Sequence, residues 1–401
     1  MNLRQVFIMI YVMLCSLLQA QNLSGLRMDA FGNLWAGNSQ QAIADFSSYL
    51  ERSNSPSGDI FLGRGKAYLI TRDYDKALSD FRMASDHGNI EAALWMARSF
   101  ALSGKPNEAV TAIEKFLKSS RYPDIRSIKK DTCFKVLYPG EEWFMLWQND
   151  WNFEEEDIYR EASFYAERSN FSRAHSLIEE RLRSGLADDR LHYYNSLIYF
   201  REENTGLALS EINHALSLQS DNVLYLKQKA TYLMEMEERR EAFRILSGIL
   251  EQVPEDFDTR YERISLALET GEPAIAGKDL DLMLKYSQKP ALVFLAGKVA
   301  YASEDYISAL QYFNSLLEKD QSRADYFKAR GMTYYNTRMF KQAGYDLSMS
   351  LDLQPDDPEV NYYKGLTENA MGEKSMACYY MERAMKKGYS AAREYFNKNC
   401  R

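Results

Sequence analysis

Glu154, Glu155, Glu156 and Asp157 form the densest acidic run in the sequence, and so the first group to weigh for chemistry. A calcium loop needs oxygen ligands spaced along a turn, and general acid–base work needs two carboxylates in different surroundings. A contiguous run supplies neither; near a helix start it favours the dipole and keeps that face wet. The histidines, His87, His175, His192 and His214, are scattered, and no Cys/His spacing fits zinc. Phosphate-binding glycine loops, HExxH and the nucleophile elbow do not occur. The sequence therefore implies no catalytic residue, no cofactor and no metal, and an envelope enzyme stays a reading without a motif. Recognition chemistry remains. EEWFMLWQNDW places Trp143, Trp147 and Trp151 at steps of four, so on a helix the three rings share one face. Such a stripe either packs, as a degenerate unit joining two blocks, or docks a partner.

The elements that hold these residues must be helices. Only 9 prolines and 20 glycines in 401 residues leave room for long ones, and 46% hydrophobic content is that of a folded chain. A formal charge of −8 argues against sequence-independent nucleic-acid binding, which needs a basic face. MNLRQVFIMIYVMLCSLLQA has Arg4, an apolar run from Val6 to Leu18, and Ala20 before Gln21. That layout predicts a cleavable signal peptide at 1–20, because the run is short for a membrane span. Leu14 before Cys15 lacks the small residue of a lipoprotein signal. The expectation is export to a periplasm or cell envelope, or secretion, with no integral span in the mature chain. Cys133, Cys378 and Cys400 would then face an oxidising compartment, where an odd number leaves one thiol free or paired with another chain. Whether Cys378 pairs with Cys400 stays open, since loop length alone does not place two sulfurs.

A period organises the rest. Ala174, Ala208, Ala242, Ala276, Ala309, Ala343 and Ala377 follow one another at steps of 34, once 33. Four residues after each stands Ile178, Ile212, Leu246, Leu280, Phe313, Leu347 or Met381; eight after each stands Leu182, Leu216, Leu250, Leu284, Leu317, Leu351 or Met385. Apolar residues at i, i+4 and i+8 make one helix face, and the alanine lets a neighbouring helix approach. Each unit reads as two antiparallel helices that cannot bury their stripes alone, so neighbours must stack. Gly297, Gly331 and Gly365 lie twelve before the last three alanines, and Pro254 and Pro355 close two units.

The unit at 324–357, with Gly331, Tyr334, Phe340, Ala343, Leu347 and Pro355, resembles the tetratricopeptide repeat, as does an earlier one with Gly65, Tyr68, Tyr74, Ala77 and Phe81. Weaker units centre on Ala42 and Ala109, making ten copies. RMASDHGNIEAALWMARSFALSG and MERAMKKGYSAAREYF resemble the related Sel1-like variant. Ile264 replaces a small residue of the pattern, and Glu368 an aromatic one. The resemblance implies an all-α fold, a right-handed α-solenoid of stacked helix pairs. The predicted order is the leader at 1–20, about three units at 21–120 and a tryptophan-rich junction at 121–155. Seven units at 156–389 and a capping helix at 390–401 complete it.

Aligned on the repeat, Arg64 and Asp80, Arg263 and Asp279, and Arg330 and Asp346 are each sixteen apart. They are expected to pair across each hairpin, since a planar guanidinium suits two-point contact with a carboxylate. The resemblance further implies that the first helices line a concave groove for peptides or partner helices. In that register one groove position reads Tyr159, Tyr193, Lys227, Tyr261, Phe294, Lys328 and Tyr362, and a second offers Phe200, Tyr301 and Tyr335. The family's clamp for C-terminal carboxylates needs a lysine with asparagine four later. Thr231 follows Lys227 and Met332 follows Lys328, so that activity is not carried over. The implied function is a non-enzymatic scaffold for a protein or peptide partner, or else an obligate subunit of a secretion or cell-envelope assembly.

Overall fold

The computed structural model describes residues 21–119, 125–148, 156–183 and 188–400. Residues 1–20, where a leader is expected, Trp151 and the side chains of Tyr159 and Glu154–Asp157 lie outside the described residues. Every regular element among those described is helical. Three hairpins come first: α1 (21–36) with α2 (Ser39–Arg52), α3 (Gly58–Ile70) with α4 (Tyr74–Asp86), and α5 (Ala92–Leu102) with α6 (Pro106–Ser119). A junction follows, of α7 (Ile125–Lys130), a 3-10 turn (Thr132–Leu137) and α8 (Glu141–Gln148). Next come α9 (Glu156–Glu167) with α10 (Phe171–Arg183), α11 (Asp189–Arg201) with α12 (Thr205–Leu218), and α13 (Val223–Glu235) with α14 (Arg239–Gln252). Then α15 (Phe257–Thr270) pairs with α16 (Pro273–Leu284), α17 (Pro290–Ala302) with α18 (Tyr306–Leu317), and α19 (Ala324–Asn336) with α20 (Phe340–Leu353). The last pair, α21 (Pro358–Ala370) with α22 (Lys374–Lys386), is followed by α23 (Ser390–Asn399). The chain divides into two compact units, Met1–Phe257 and Asp258–Arg401, each an all-α repeat solenoid. That division falls inside the run of seven units.

The period has a direct physical meaning. All seven marker alanines are fully buried, and the residues four later are at most 3% exposed. The turn inside each hairpin ends on a residue with φ between 58° and 90°, always five before the marker alanine. Gly37, Gly104, Gly271 and Gly372 take this left-handed conformation without penalty, whereas Arg72, Ser169, Glu203, Glu237, Glu304 and Arg338 are held there. Ten such turns match ten copies. Some helix starts carry conventional caps: Asp73, Asn204, Asn222, Asp305 and Asp357 accept from backbone amides of the first turn. Pro273, Pro290 and Pro358 stand at the first helical position, where the missing N–H costs nothing.

Where the small residue of a first helix is glycine, it faces a bulky one sixteen later. A Cβ at Gly65 would lie 2.5 Å from the Phe81 ring, and one at Gly331 2.9 Å from Leu347 Cγ. Glycine at these positions sets the spacing between the two helices. The arginine–aspartate pairs close as their spacing predicts. Arg64 Nε and Nη2 donate to Asp80 at 2.8 Å each, Arg263 to Asp279 at 2.7 Å each, and Arg330 to Asp346 at 2.6 and 2.9 Å. Asp80, Asp279 and Asp346 are at most 3% exposed, so these are buried carboxylates rather than surface charges. Two of the arginines also reach the preceding hairpin, Arg64 at Ser47 Oγ (3.1 Å) and Arg330 at Asn314 Oδ1 (2.9 Å). Each of these guanidiniums joins three helices. The departures from the pattern are local: Ile264 is fully buried, and Glu368 lies 2.7 Å from Lys364 in a shielded pair.

The junction seats on the third hairpin. Ile128, Phe134, Leu137, Trp143 and Leu146 share a core with Ala97, Ala109, Ile113 and Leu117. Arg98 on α5 donates to Asp131 at 2.6 Å, which anchors the start of the 3-10 turn. At the other end of the chain, Cys378 and Cys400 form a disulfide that ties α23 to α22, and Cys133 is a half-buried free thiol.

Candidate partner-binding face

Within each unit the helices that open successive hairpins touch one another: α3 meets α5 and α9 meets α11, as α17 meets α19 and α19 meets α21. These first helices therefore line the tighter, inner side of each stack. The groove position predicted from the repeat register lies on them, and the units present it separately.

In the second unit the inner side is a run of rings. Phe294 on α17 lies 5.1 Å from Tyr326 on α19, and the Tyr301 hydroxyl accepts from Asn336 Nδ2 at 2.8 Å. Tyr335 meets Tyr363 edge-on at 5.7 Å, Tyr363 meets Tyr362 at 5.6 Å, and Tyr362 meets Tyr389 at 5.0 Å. Tyr261, Phe294, Tyr301, Tyr335 and Tyr362 are all half-buried. Burial pushes the phenols of Tyr301, Tyr335 and Tyr362 above their ordinary range, so they stay protonated and can donate. Lys328 is not a free charge. Its ammonium lies 2.9 Å from Asp357 and 2.7 Å from Glu359; burial opposes its charge, and the two carboxylates outweigh that and raise its pKa.

The first unit repeats the scheme with fewer rings. Tyr193 on α11 stacks on Tyr225 at 4.9 Å, Phe200 tilts against Tyr232 at 4.9 Å, and Lys227 lies 2.5 Å from Asp256. Tyr225 donates to Asp189 at 2.6 Å, and burial first, then that carboxylate, pushes its phenol up. At the groove position Tyr193 and Phe294 each meet a ring 32 residues on, in the next first helix, whereas Tyr362 meets Tyr389 and Tyr261 has Val293 at that spacing. Lys227 and Lys328 each pair with an acid at the start of the next first helix. These residues couple neighbouring repeats while keeping one edge open. Sequence reasoning missed Tyr225, Tyr326, Tyr363 and Tyr389. The spacing of 32 was visible, but it becomes a signal only once the first helices are known to touch.

The tryptophan stripe divides. Trp143 is 9% exposed and packs on Phe134, Tyr138 and Trp147 at 6.1, 5.4 and 5.2 Å. Trp147 is half-buried under the Lys129 ammonium, 4.6 Å above its ring. Trp143 is thus enclosed and Trp147 half-enclosed, while Trp151 lies outside the described residues. The apolar residues exposed there are Val136, Tyr138, Phe144 and Met145, off the stripe. No group of three or more potential metal ligands exists among the described residues, and none of the helices described is long and apolar enough to cross a membrane.

The tetratricopeptide repeat family model matches residues 35–89, from the end of α1 past α4. No curated protein matches the sequence. Among solved structures, a tetratricopeptide repeat protein from Parabacteroides merdae has a TM-score of 0.51 at 18% identity, covering 61% of this chain and 98% of its own. The C-terminal part of a repeat-containing protein from Cytophaga hutchinsonii covers 59% of this chain and 98% of its own, with 14% identity and a TM-score of 0.43. The first of these shares the fold; at these identities neither says what this chain binds.

Proposed function

Starting from an all-α solenoid that carries tetratricopeptide repeats, we propose that this chain is a scaffold that binds another protein and performs no chemistry of its own. The observation that carries this reading is the inner face of the second unit. Phe294, Tyr301, Tyr335 and Tyr362 form a half-buried, hydroxyl-bearing surface whose ionic groups are already neutralised. Rigid rings give contact area at low entropy cost, and protonated phenols add directional donors. Such a face suits an extended peptide or a partner helix. The resemblance of residues 1–20 to a signal peptide and the Cys378–Cys400 disulfide both favour export into an oxidising compartment, a periplasm or cell envelope.

Site-specific photocrosslinking in the native cell tests the reading. A photoreactive residue at Tyr335 or Tyr362 is expected to capture the same protein, and one at exposed Lys341 on the outer helix α20 is not. Tyr335→Ala with Tyr362→Ala should weaken the purified complex by about tenfold or more. Equal capture at all three positions, or none, overturns the assignment of the face.

A further inference from the structure

The first hairpin holds a contact that a repeat array does not need. Arg27, Phe31 and Trp35 stand at steps of four on α1, and Arg27 lies fifteen before Ala42, the same offset that defines the groove position elsewhere. Arg27 repeats the coupling seen at Lys328, since its Nη2 lies 2.5 Å from Asp59 on the next hairpin. It also takes a second carboxylate from 228 residues away. Its Nε donates to Glu255 Oε1 at 2.6 Å, and Nη2 contacts the same oxygen. Two residues further on, the Phe257 ring stacks on Trp35, with centroids 5.6 Å apart and planes 23° from parallel. Glu255 has a side-chain exposure of only 10%, and Phe257 is 2% exposed. All of these residues belong to the first unit.

Stability in a stacked array comes from neighbours, and Ala30, Ala42 and Phe46 of the first hairpin already share a core with Ile60 and Ala67 of the next. The long-range contact adds one carboxylate and one ring to that hairpin. Because it rests on only these two groups, an outside segment that carries the same pair can compete for it. We propose that the inner face of α1 is a recognition site for an acidic residue followed two places later by an aromatic ring. The chain's own Pro254–Phe257 fills it at rest, and a partner segment of that chemistry displaces this internal occupant. The site lies apart from the tyrosine face of the second unit and stands or falls independently of it.

The probe is a fluorescein-labelled peptide of residues 251–258, EQVPEDFD, titrated into the full chain. Vacating the site with Glu255→Lys and Phe257→Ala should tighten peptide binding about tenfold or more, because the competing internal segment is gone. Adding Arg27→Glu should abolish the gain, and EQVPEDAD should not bind. An opened chain that binds no tighter than the wild type, or binding indifferent to Arg27→Glu, overturns the proposal. The wild-type chain gives a reading that survives any folding defect of the variants. Saturating peptide should speed amide exchange across residues 254–257, and unchanged protection there counts equally against the idea. A wild-type dimer that Glu255→Lys dissolves would mean that a second copy supplies the segment, which overturns occupancy within one chain.

Discussion

The junction at 125–148 and the hairpins of the second unit both pack aromatic rings, by opposite arrangements. In the junction Phe134, Tyr138 and Trp147 gather around the single ring of Trp143, so each loss is felt by the others. In the second unit the rings link one to the next along the stack, as Phe294 does with Tyr326 and Tyr335 with Tyr363, and a loss is felt by near neighbours. The difference separates a cooperative knot from a chain of nearest-neighbour couplings. It also explains why the knot shows no period and the array does.

The largest test of that contrast is Trp143→Ala, which removes the ring at the centre of the knot. It should cost the first unit about 3–5 kcal/mol. In urea, the transition that carries the tryptophan signal should move to lower denaturant while the second unit's transition stays in place. A cost no greater than that of Phe294→Ala would erase the distinction. Next in size is Asp346→Ala, which leaves the Arg330 guanidinium, with a side-chain exposure of 18%, facing a vacated carboxylate site. About 3 kcal/mol should be lost from the second unit, and Arg330→Met with Asp346→Leu should restore much of it, since an apolar pair avoids the desolvation cost. Failure of the double replacement would mean that the contact to Asn314 matters more than the ion pair. The smallest is Glu304→Gly, which relieves a left-handed residue and should raise the second unit's midpoint by the equivalent of about 0.5 kcal/mol. A loss instead would show that the Glu304 side chain contributes beyond the turn.

Much of the fold was legible because a solenoid repeats its physics. The buried alanines, the glycines under bulky residues and the sixteen-residue arginine–aspartate spacing each recur, and recurrence converts weak local signals into a register. The turn residue five before each alanine escaped notice, because Glu203, Glu237, Glu304 and Arg338 are held in a conformation their own propensities disfavour. The candidate face was legible only as a register position. That Tyr193 meets Tyr225 depends on first helices approaching one another, and this follows from the curvature of the stack rather than from any single residue. The contact of Arg27 with Glu255 had no sequence signal at all, since nothing in a linear pattern brings residues 228 apart together. The disulfide lay between these cases: its cysteines were plain and its geometry was not.

That disulfide also gives the second unit a direction. An array held by nearest-neighbour contacts frays from whichever end is easier to release. With Cys378 and Cys400 joined, α23 cannot peel away from α22 without carrying a closed loop with it, whose ends lie 22 residues apart in sequence. Under oxidising conditions a protease or a steady pull therefore meets a closed hairpin there, and α22 with α23 should be the last helices of the unit to separate.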